Sequence, residues 1–534
     1  MPAIITDQFR ILNAETFINS FVGVGTTANY YYSFIGHPSP QVLYNQVADY
    51  GTSDWNTRIP EPKDSFKEEN LYHDSMLFLK KITSDDVRRV IPRYNWQSGS
   101  TYEMYKNNYD IYNATSQLNA KTLYEGKYIV VNSEYKVYLC ISNGTDPENI
   151  NGKKSLAEPN FDGIYPATAT VNAQDGYLWK YLFTISPADV VKFVTDDYIP
   201  LPKEWGDSNT STVRDAAVSG RLETIVITNR GTSYEITGGN DTPVANETIV
   251  LPVYGDGTGG QVELTVANGE VKDAEITASG KDYTKAYVQI ENLTQGLNQW
   301  NGVRVDCTAS GTPATFDIPI PPKGGHGADI YRECGGHRVM VYSKYDTDPD
   351  YVTGNNFTRI GIVKNPTVYN NKVERFTQST GTALGALKIS DASGTANYPS
   401  NKLIKQTVGV GSTAVGYVAS YSSVTKVLRY YQPVGLTTNP YADNKLLDFT
   451  STTGEVTVTD GTSKDLDTTF GTASIPKGSE EIGGKLYQYG QQFVGGIAPP
   501  DVEKYSGEII YIDNRAPITR SDSQKEELKI VVEF

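Results

Sequence analysis

Residues able to do chemistry are sparse in this chain, and one stretch gathers most of them. The segment PPKGGHGADIYRECGGHRV, Pro321 to Val339, places His326, Asp329, Cys334 and His337 within twelve positions. Zinc can use such nitrogen, oxygen and sulfur donors. The segment holds no C-x-x-C or H-x-x-x-H pair, however, and its glycines describe more simply a loop packed tightly around a short helix. No metal is therefore assigned. The run DTDPD, Asp346 to Asp350, alternates carboxylates as a calcium loop does, but Pro349 intrudes, the sixth place lacks glycine, and Phe357 stands where a bidentate Glu should close the loop. A solvated acidic turn fits better. Two glycine-rich runs, GDGTGG (Gly255 to Gly260) and GVGSTAVG (Gly409 to Gly416), lack the Lys-Ser/Thr ending and following helix of a phosphate cradle. Their flanks alternate as strands do, so they read as hairpin or bulge glycines. The other histidines, His37 and His73, sit beside no nucleophile motif, and with 62 acidic residues a glycosidase-like carboxylate pair cannot be picked by eye. No catalytic residue and no cofactor is assigned.

Aromatic residues are the more suggestive group. Trp96, Tyr177, Trp179, Tyr181 and the run Tyr30-Tyr31-Tyr32 could line a sugar-binding groove. In DGYLWKYLF, alternation puts Tyr177, Trp179, Tyr181 and Phe183 on one strand face, which an inter-sheet core or a subunit interface equally requires. Core or interface is the preferred reading.

The elements that must position these residues are strands. Thirty-eight Tyr, 48 Gly and 27 Pro beside 4 Met describe a turn-rich, aromatic β protein with few, short helices. A length of 534 residues implies three or four structural units. The net charge of −15 is spread without an acidic tail or a basic block, so nucleic acid, whose phosphates demand clustered Lys and Arg, is not an expected partner. Cys140, Cys307 and Cys334 are too few for a disulfide framework and read as buried thiols of a protein folded in a reducing compartment. Asp7 and Arg10 interrupt any signal-peptide core, and no run of 18 apolar residues occurs. Neither export by the usual route nor membrane insertion is expected.

Residues Gly220 to Tyr234 (GRLETIVITNRGTSY) repeat as Gly269 to Tyr283 (GEVKDAEITASGKDY) at a constant offset of 49. Gly220/Gly269 would enter a strand, Gly231/Gly280 would leave it, and Tyr234/Tyr283 would pack back over the turn. With ETIVLPV and GGQVELTVANG between the copies, residues 213–312 read as a small all-β module of two similar halves, a sandwich and not a solenoid. A second Thr/Ser/Gly-rich β module spans 373–494. There, alternation through Ala414, Gly416 and Val418 predicts strands, and composition allows Thr450 to Phe470 to be a mobile loop. Short capped helices are predicted after Ser186 (Ser186-Pro187-Ala188-Asp189) and over Thr83 to Val90, the latter ended by Pro92. In the last strand, Leu528, Ile530, Val532 and Phe534 alternate with Lys529, Val531 and Glu533, which demands a partner strand from far earlier.

Three stretches carry a family resemblance: SGEIIYIDNRAPI (Ser506 to Ile518), DGYLWKYLFTISPAD (Asp175 to Asp189) and VIPRYNW (Val90 to Trp96), with weaker matches at FRILNAETFINSF, NYYYSFIG and FTRIGIVKNP. In order and spacing they resemble the gene product eight family, baseplate wedge subunits of T-even-type contractile-tailed bacteriophages. The resemblance covers 1–204, 313–372 and 495–534, which would form a mainly β, multi-domain, β-sandwich-like scaffold, with 213–312 and 373–494 as inserted all-β modules. It implies a non-enzymatic virion protein made in the host cytoplasm and placed in the tail baseplate. A homodimer, docking to other wedge proteins, and rearrangement when the tail contracts are implied as well. No nucleic-acid or membrane partner is implied. Trp96, Tyr177, Trp179, Tyr181 and Arg515, the last inside the tail motif, are the interface or core candidates. A receptor- or carbohydrate-binding tail protein with aromatic-rich β modules is the alternative.

Overall fold

The structure is a computed structural model and describes residues 4–21, 28–36, 59, 61–65, 69, 72–73, 76–169, 175–207, 209–237, 243–244, 246–290, 299–300, 303–307, 311–346, 356–432, 447–519 and 524–534. Strand accounts for 42% and helix for 9%, in several antiparallel sheets, so the expected mainly β class holds. The chain divides into two compact units, one of residues 1–16, 88–340 and 531–534, the other of 17–87 and 341–530.

In the first unit, strands Ile129–Val131, Lys136–Asn143 and Tyr177–Thr184 form a three-stranded antiparallel sheet. One face packs Ile129, Val137, Leu139, Leu182 and Phe183 against Ile199, Leu201 and Ile330. The opposite face carries Val130, Tyr138, Cys140, Tyr177 and Trp179. With both faces covered, the strands read as nearly continuous apolar runs. The predicted single aromatic face breaks at one position. The pairing shifts between Val137↔Phe183 and Tyr138↔Tyr181, leaving Leu182 as an extra residue, and this bulge turns Phe183 to the aliphatic face.

The helix after Ser186 is Pro187–Phe193, with Pro at its start and the Ser186 hydroxyl accepting a hydrogen bond from Asp189 N at 3.1 Å. Its buried Phe193 ties it down. The helix expected over Thr83 to Val90 does not form. Ser84–Asp86 is a single 3-10 turn, closed as Thr83 N and Oγ1 donate to Asp86 Oδ2, and Val87–Pro92 is a strand. Capping chemistry at Thr83 was correctly read, but the β-branched Val87, Val90 and Ile91 that follow fit a pleated strand better than a helix.

The repeat is visible as geometry. Leu222 N donates to Ser279 O at 2.9 Å, and Val271 N donates to Arg230 O at 3.0 Å. Because 222 and 271, and likewise 230 and 279, are equivalent repeat positions, the two copies exchange one and the same hydrogen bond, as a local two-fold relation requires. Gly220, Gly231, Gly269 and Gly280 all have positive φ, which favours glycine. A Cβ on Gly231 would lie 2.5 Å from the Tyr234 ring and one on Gly280 2.7 Å from the Tyr283 ring, so each tyrosine does fold back over its own turn. Both are buried in one core with Leu222, Ile249, Val262, Leu264 and Val271. Strands Asn246–Pro252, Thr258–Ala267 and Glu270–Lys281 form an antiparallel sheet beside it.

In the second unit, a five-stranded antiparallel sheet runs in the order Thr380–Gly381, Met76–Ile82, Tyr31–Gly36, Asn356–Lys364, Glu508–Thr519. The tail motif thus pairs with a mid-chain strand (Ile362↔Tyr511, Gly361↔Ile512) that itself pairs with a strand near the N-terminus (Ser33↔Ile362). The last strand, Glu526–Glu533, lies beside Arg338–Tyr345 and buries Ile530. A separate seven-stranded sheet includes the hairpin Leu403–Gly409/Ser412–Tyr421, so GVGSTAVG is a turn between strands, as read. Ala414 and Val418 face one core, Val415, Tyr417 and Ala419 another. Thr450 to Phe470 is not a free loop: it contributes strand Glu455–Val458 and buries Val456, Leu466 and Phe470. Of the acidic run at 346–350, only Asp346 lies among the described residues, and Lys525 pairs with it at 3.2 Å.

Candidate functional site

The predicted interface-or-core residues sort into different places. Tyr177 and Trp179 are fully buried, Trp179 at 0% exposure. They lie on one strand face and stack with ring centroids 5.2 Å apart and an interplanar angle of 15°. Tyr102 meets Trp179 edge-on at 5.8 Å, the arrangement that ring quadrupoles favour. Hydroxyls and amides fix the cluster: Tyr102 N donates to Tyr177 Oη at 2.8 Å, and Tyr177 Oη donates to Lys153 O at 2.8 Å. Tyr138 closes the other side, donating to Phe161 O at 2.6 Å while Phe161 N donates back at 2.9 Å. Burial pushes the Tyr138 phenol up to about 12. Trp96 and Tyr181 are partly buried at the margin, with Trp96 Nε1 donating to Ser155 Oγ at 3.0 Å. Arg515 is elsewhere, exposed on the strand Glu508–Thr519 of the second unit and 2.7 Å from Asp513.

Within the chain, then, the aromatic face is a core. A sugar ring could not stack on Tyr177 or Trp179 without opening the sheet, because no ring face is exposed there.

The His/Asp/Cys segment also separates. His326 Nδ1 is 2.5 Å from Glu333 Oε1, and Gly327 N donates to Glu333 Oε2 at 2.7 Å. Asp329 caps the short helix Ile330–Glu333 by accepting from Tyr331 N and Arg332 N. Cys334 is a buried free thiol whose pKa burial pushes well up, and Cys140 behaves alike. His337 Nε2 approaches Glu533 at 3.4 Å. Among the described residues, no group of three or more His, Cys, Asp or Glu is disposed to hold a metal ion. In GDGTGG, a Cβ on Gly257 would fall 2.4 Å from the Tyr283 ring. Those glycines make room for a tyrosine.

Sequence reading missed the buried charges. Glu103 is buried and accepts three backbone hydrogen bonds, from Gln117 N (3.0 Å), Leu118 N (2.9 Å) and Lys127 N (2.7 Å), thereby pinning both ends of one long loop. Lys180 is buried with its ammonium on Ile164 O at 2.9 Å. A lysine inside the apolar run YLWKYLF was the available signal.

The strand bearing Tyr177 and Trp179, the capped helix and the chain up to the short helix Ser211–Asp215 fall inside one family match. Residues 140–219 match the family model described as Bacteriophage T4, Gp8. Over that segment the chain is similar to the phage Gp8 family. The resemblance read from the sequence is thereby borne out. Gp8 is a structural baseplate family, and the match supports a phage baseplate structural protein with a location in the virion tail. No curated protein matches the chain. Among the described residues, no helix is long and apolar enough to cross a membrane.

Proposed function

We propose that the chain is a non-enzymatic baseplate wedge subunit that forms a homodimer, docks other wedge proteins during assembly, and takes part in the rearrangement that accompanies contraction. The observation that carries this is the Gp8 match at 140–219, which takes in strand Tyr177–Thr184 and the end of strand Lys136–Asn143, whose buried faces help build the aliphatic and aromatic cores of the first unit. The tail motif Ser506 to Ile518 lends support, since it is built into a sheet with strands from both earlier resembling regions. We further propose that 213–312 and 373–494 are modules added to the scaffold of 1–204, 313–372 and 495–534, giving reach to further neighbours, and that neither nucleic acid nor membrane is a partner. Light scattering of the purified protein, followed by capture with the co-expressed tail proteins of the same phage, tests the reading. A dimer that retains wedge proteins is expected; a monomer that retains none contradicts it.

One observation favours the carbohydrate-binding alternative. Tyr254 and Tyr287 are both about half exposed and stack at 5.9 Å with an interplanar angle of 26°, leaving aromatic surface to solvent in the repeat region. Saturable glycan binding lost in Tyr254→Ala would establish that reading.

A further inference from the structure

Two of the first unit's cores meet at one strand. Val226 of strand Val226–Asn229 packs with Tyr102, Met104 and Trp179, while its neighbours Ile225 and Ile227 belong to the core of the repeat region. Polar contacts flank this strand. Lys106 Nζ lies 3.1 Å from Asp317 Oδ2 on the paired strand Thr315–Asp317, and Ile320 N donates to Asn107 Oδ1 at 3.1 Å. Arg230 forks onto Glu148, with Nε donating to Oε1 at 2.8 Å and Nη2 to Oε2 at 2.6 Å. Nη1 of the same guanidinium donates to Val271 O at 3.0 Å and to Lys272 O at 2.6 Å. One side chain thus ties both repeat copies to the loop 144–152, within the family-matching segment.

The repeat itself shows that its backbone does not depend on this arginine. At the offset of 49 the equivalent of Arg230 is Ser279, and both positions make the same backbone bond, Val271 N to Arg230 O and Leu222 N to Ser279 O. The second copy closes without a guanidinium. Glu148, for its part, is presented by a loop fixed from within: Asp146 Oδ1 accepts from Glu148 N at 3.0 Å and from Asn149 N at 2.8 Å, and Lys153 Nζ lies 3.0 Å from Asp146 Oδ2. A bidentate fork sets direction as well as distance, and a polar seat between two cores permits relative motion. The Arg230 side chain is 16% exposed and that of Glu148 61%, so water and salt reach the fork.

We propose that the Arg230–Glu148 fork is a clasp that seats the repeat region on the loop joining strands Lys136–Asn143 and Tyr177–Thr184, and that opening it lets the repeat region shift while both cores stay folded. The clasp takes up the reading of the repeat region as an added module, but it lies within one chain and is tested in the isolated protein, apart from any wedge partner. Hydrogen exchange of the full chain, read by mass spectrometry, compares peptides covering 144–152 and 268–274 with core peptides covering 136–143 and 258–267. Glu148→Gln removes the charge from an exposed side chain; exchange in the first two peptides should rise by about five-fold, the upper end for an exposed ion pair of good geometry, with the core peptides unchanged. Sodium chloride at about 1 M, where screening acts within about 3 Å, should do the same to the wild type and add nothing in Glu148→Gln. Small-angle X-ray scattering should give the variant a larger radius of gyration than the wild type. Unchanged exchange in 144–152 and 268–274, faster exchange in the core peptides as well, a salt response that persists in Glu148→Gln, or scattering identical to wild type would each overturn the clasp.

Discussion

Trp179→Ala separates a core from an interface more sharply than any other single change. The indole is wholly buried, stacked on Tyr177 at 5.2 Å and met edge-on by Tyr102 at 5.8 Å. Truncating a buried Trp costs about 3–5 kcal/mol through lost transfer energy and the cavity left behind, and each lost aromatic pair adds roughly 0.5–1.5 kcal/mol. Since Tyr102 and Tyr177 are themselves bonded to Lys153 and Asn143 backbone or amide groups, they cannot slide far to fill the space, so the upper part of that range applies. Trp179→Phe keeps a ring in place. It also removes an indole N–H that has no hydrogen-bond partner among the described residues, so it should cost less than half as much. Urea unfolding followed by near-ultraviolet circular dichroism reads both values on the unit that contains the strand. A Trp179→Ala loss below about 1 kcal/mol, with capture of tail proteins abolished, would refute the core assignment and return Trp179 to the role of an interface anchor, where truncation weakens binding and not folding.

Three further outcomes follow from particular contacts. Burial depresses His73 from an ordinary value of 6.5 to about 4; the native state then binds fewer protons than the unfolded chain, so stability is full above pH 6.5 and falls as pH drops toward 4, by roughly 3 kcal/mol in all, and His73→Leu should flatten that part of an unfolding-versus-pH profile. Gly257→Ala should cost about 1–3 kcal/mol by forcing a Cβ against the Tyr283 ring and the Lys281 carbonyl oxygen, and Tyr283→Ala should relieve the ring's share of that cost while the carbonyl's share remains, a coupling that a double-mutant thermal-unfolding cycle measures. Ser186→Ala removes the oxygen that accepts from Asp189 N and should lower stability by about 1 kcal/mol, with Ser186→Asp restoring most of it in the same denaturation assay.

What could be read from the residues was local or periodic. Ser186-Pro187 dictates a helix start without help from elsewhere, and Leu528/Ile530 dictate a strand by their period of two. The repeated Gly and Tyr positions gave the turn packing of 220–234 and 269–283 because the contact of Gly280 with Tyr283 spans three residues. Failures arose where distant groups decide. Thr83 to Asp86 has the side chains of a helix cap, and only the β-branched residues after it and the sheet they enter make Val87–Pro92 a strand. The extra residue Leu182 in the pairing with 136–143 moved Phe183 to the other face, a shift that alternation within one strand cannot reveal. Thr450 to Phe470 is polar by count, but three buried side chains, Val456, Leu466 and Phe470, suffice to hold it. The aromatic candidates were found by type, their role as core only by their partners, and the charges of Glu103 and Lys180 were overlooked because their partners lie many residues away.

The most direct test of the account is to find the protein in its particle. Mass spectrometry of purified tails of the phage that encodes it, and of baseplates detached from those tails, should show this polypeptide enriched with the baseplate in a fixed ratio to the other wedge proteins. Its absence from the particles, or its presence only in fibres or other parts that come away from the baseplate, would contradict the assignment.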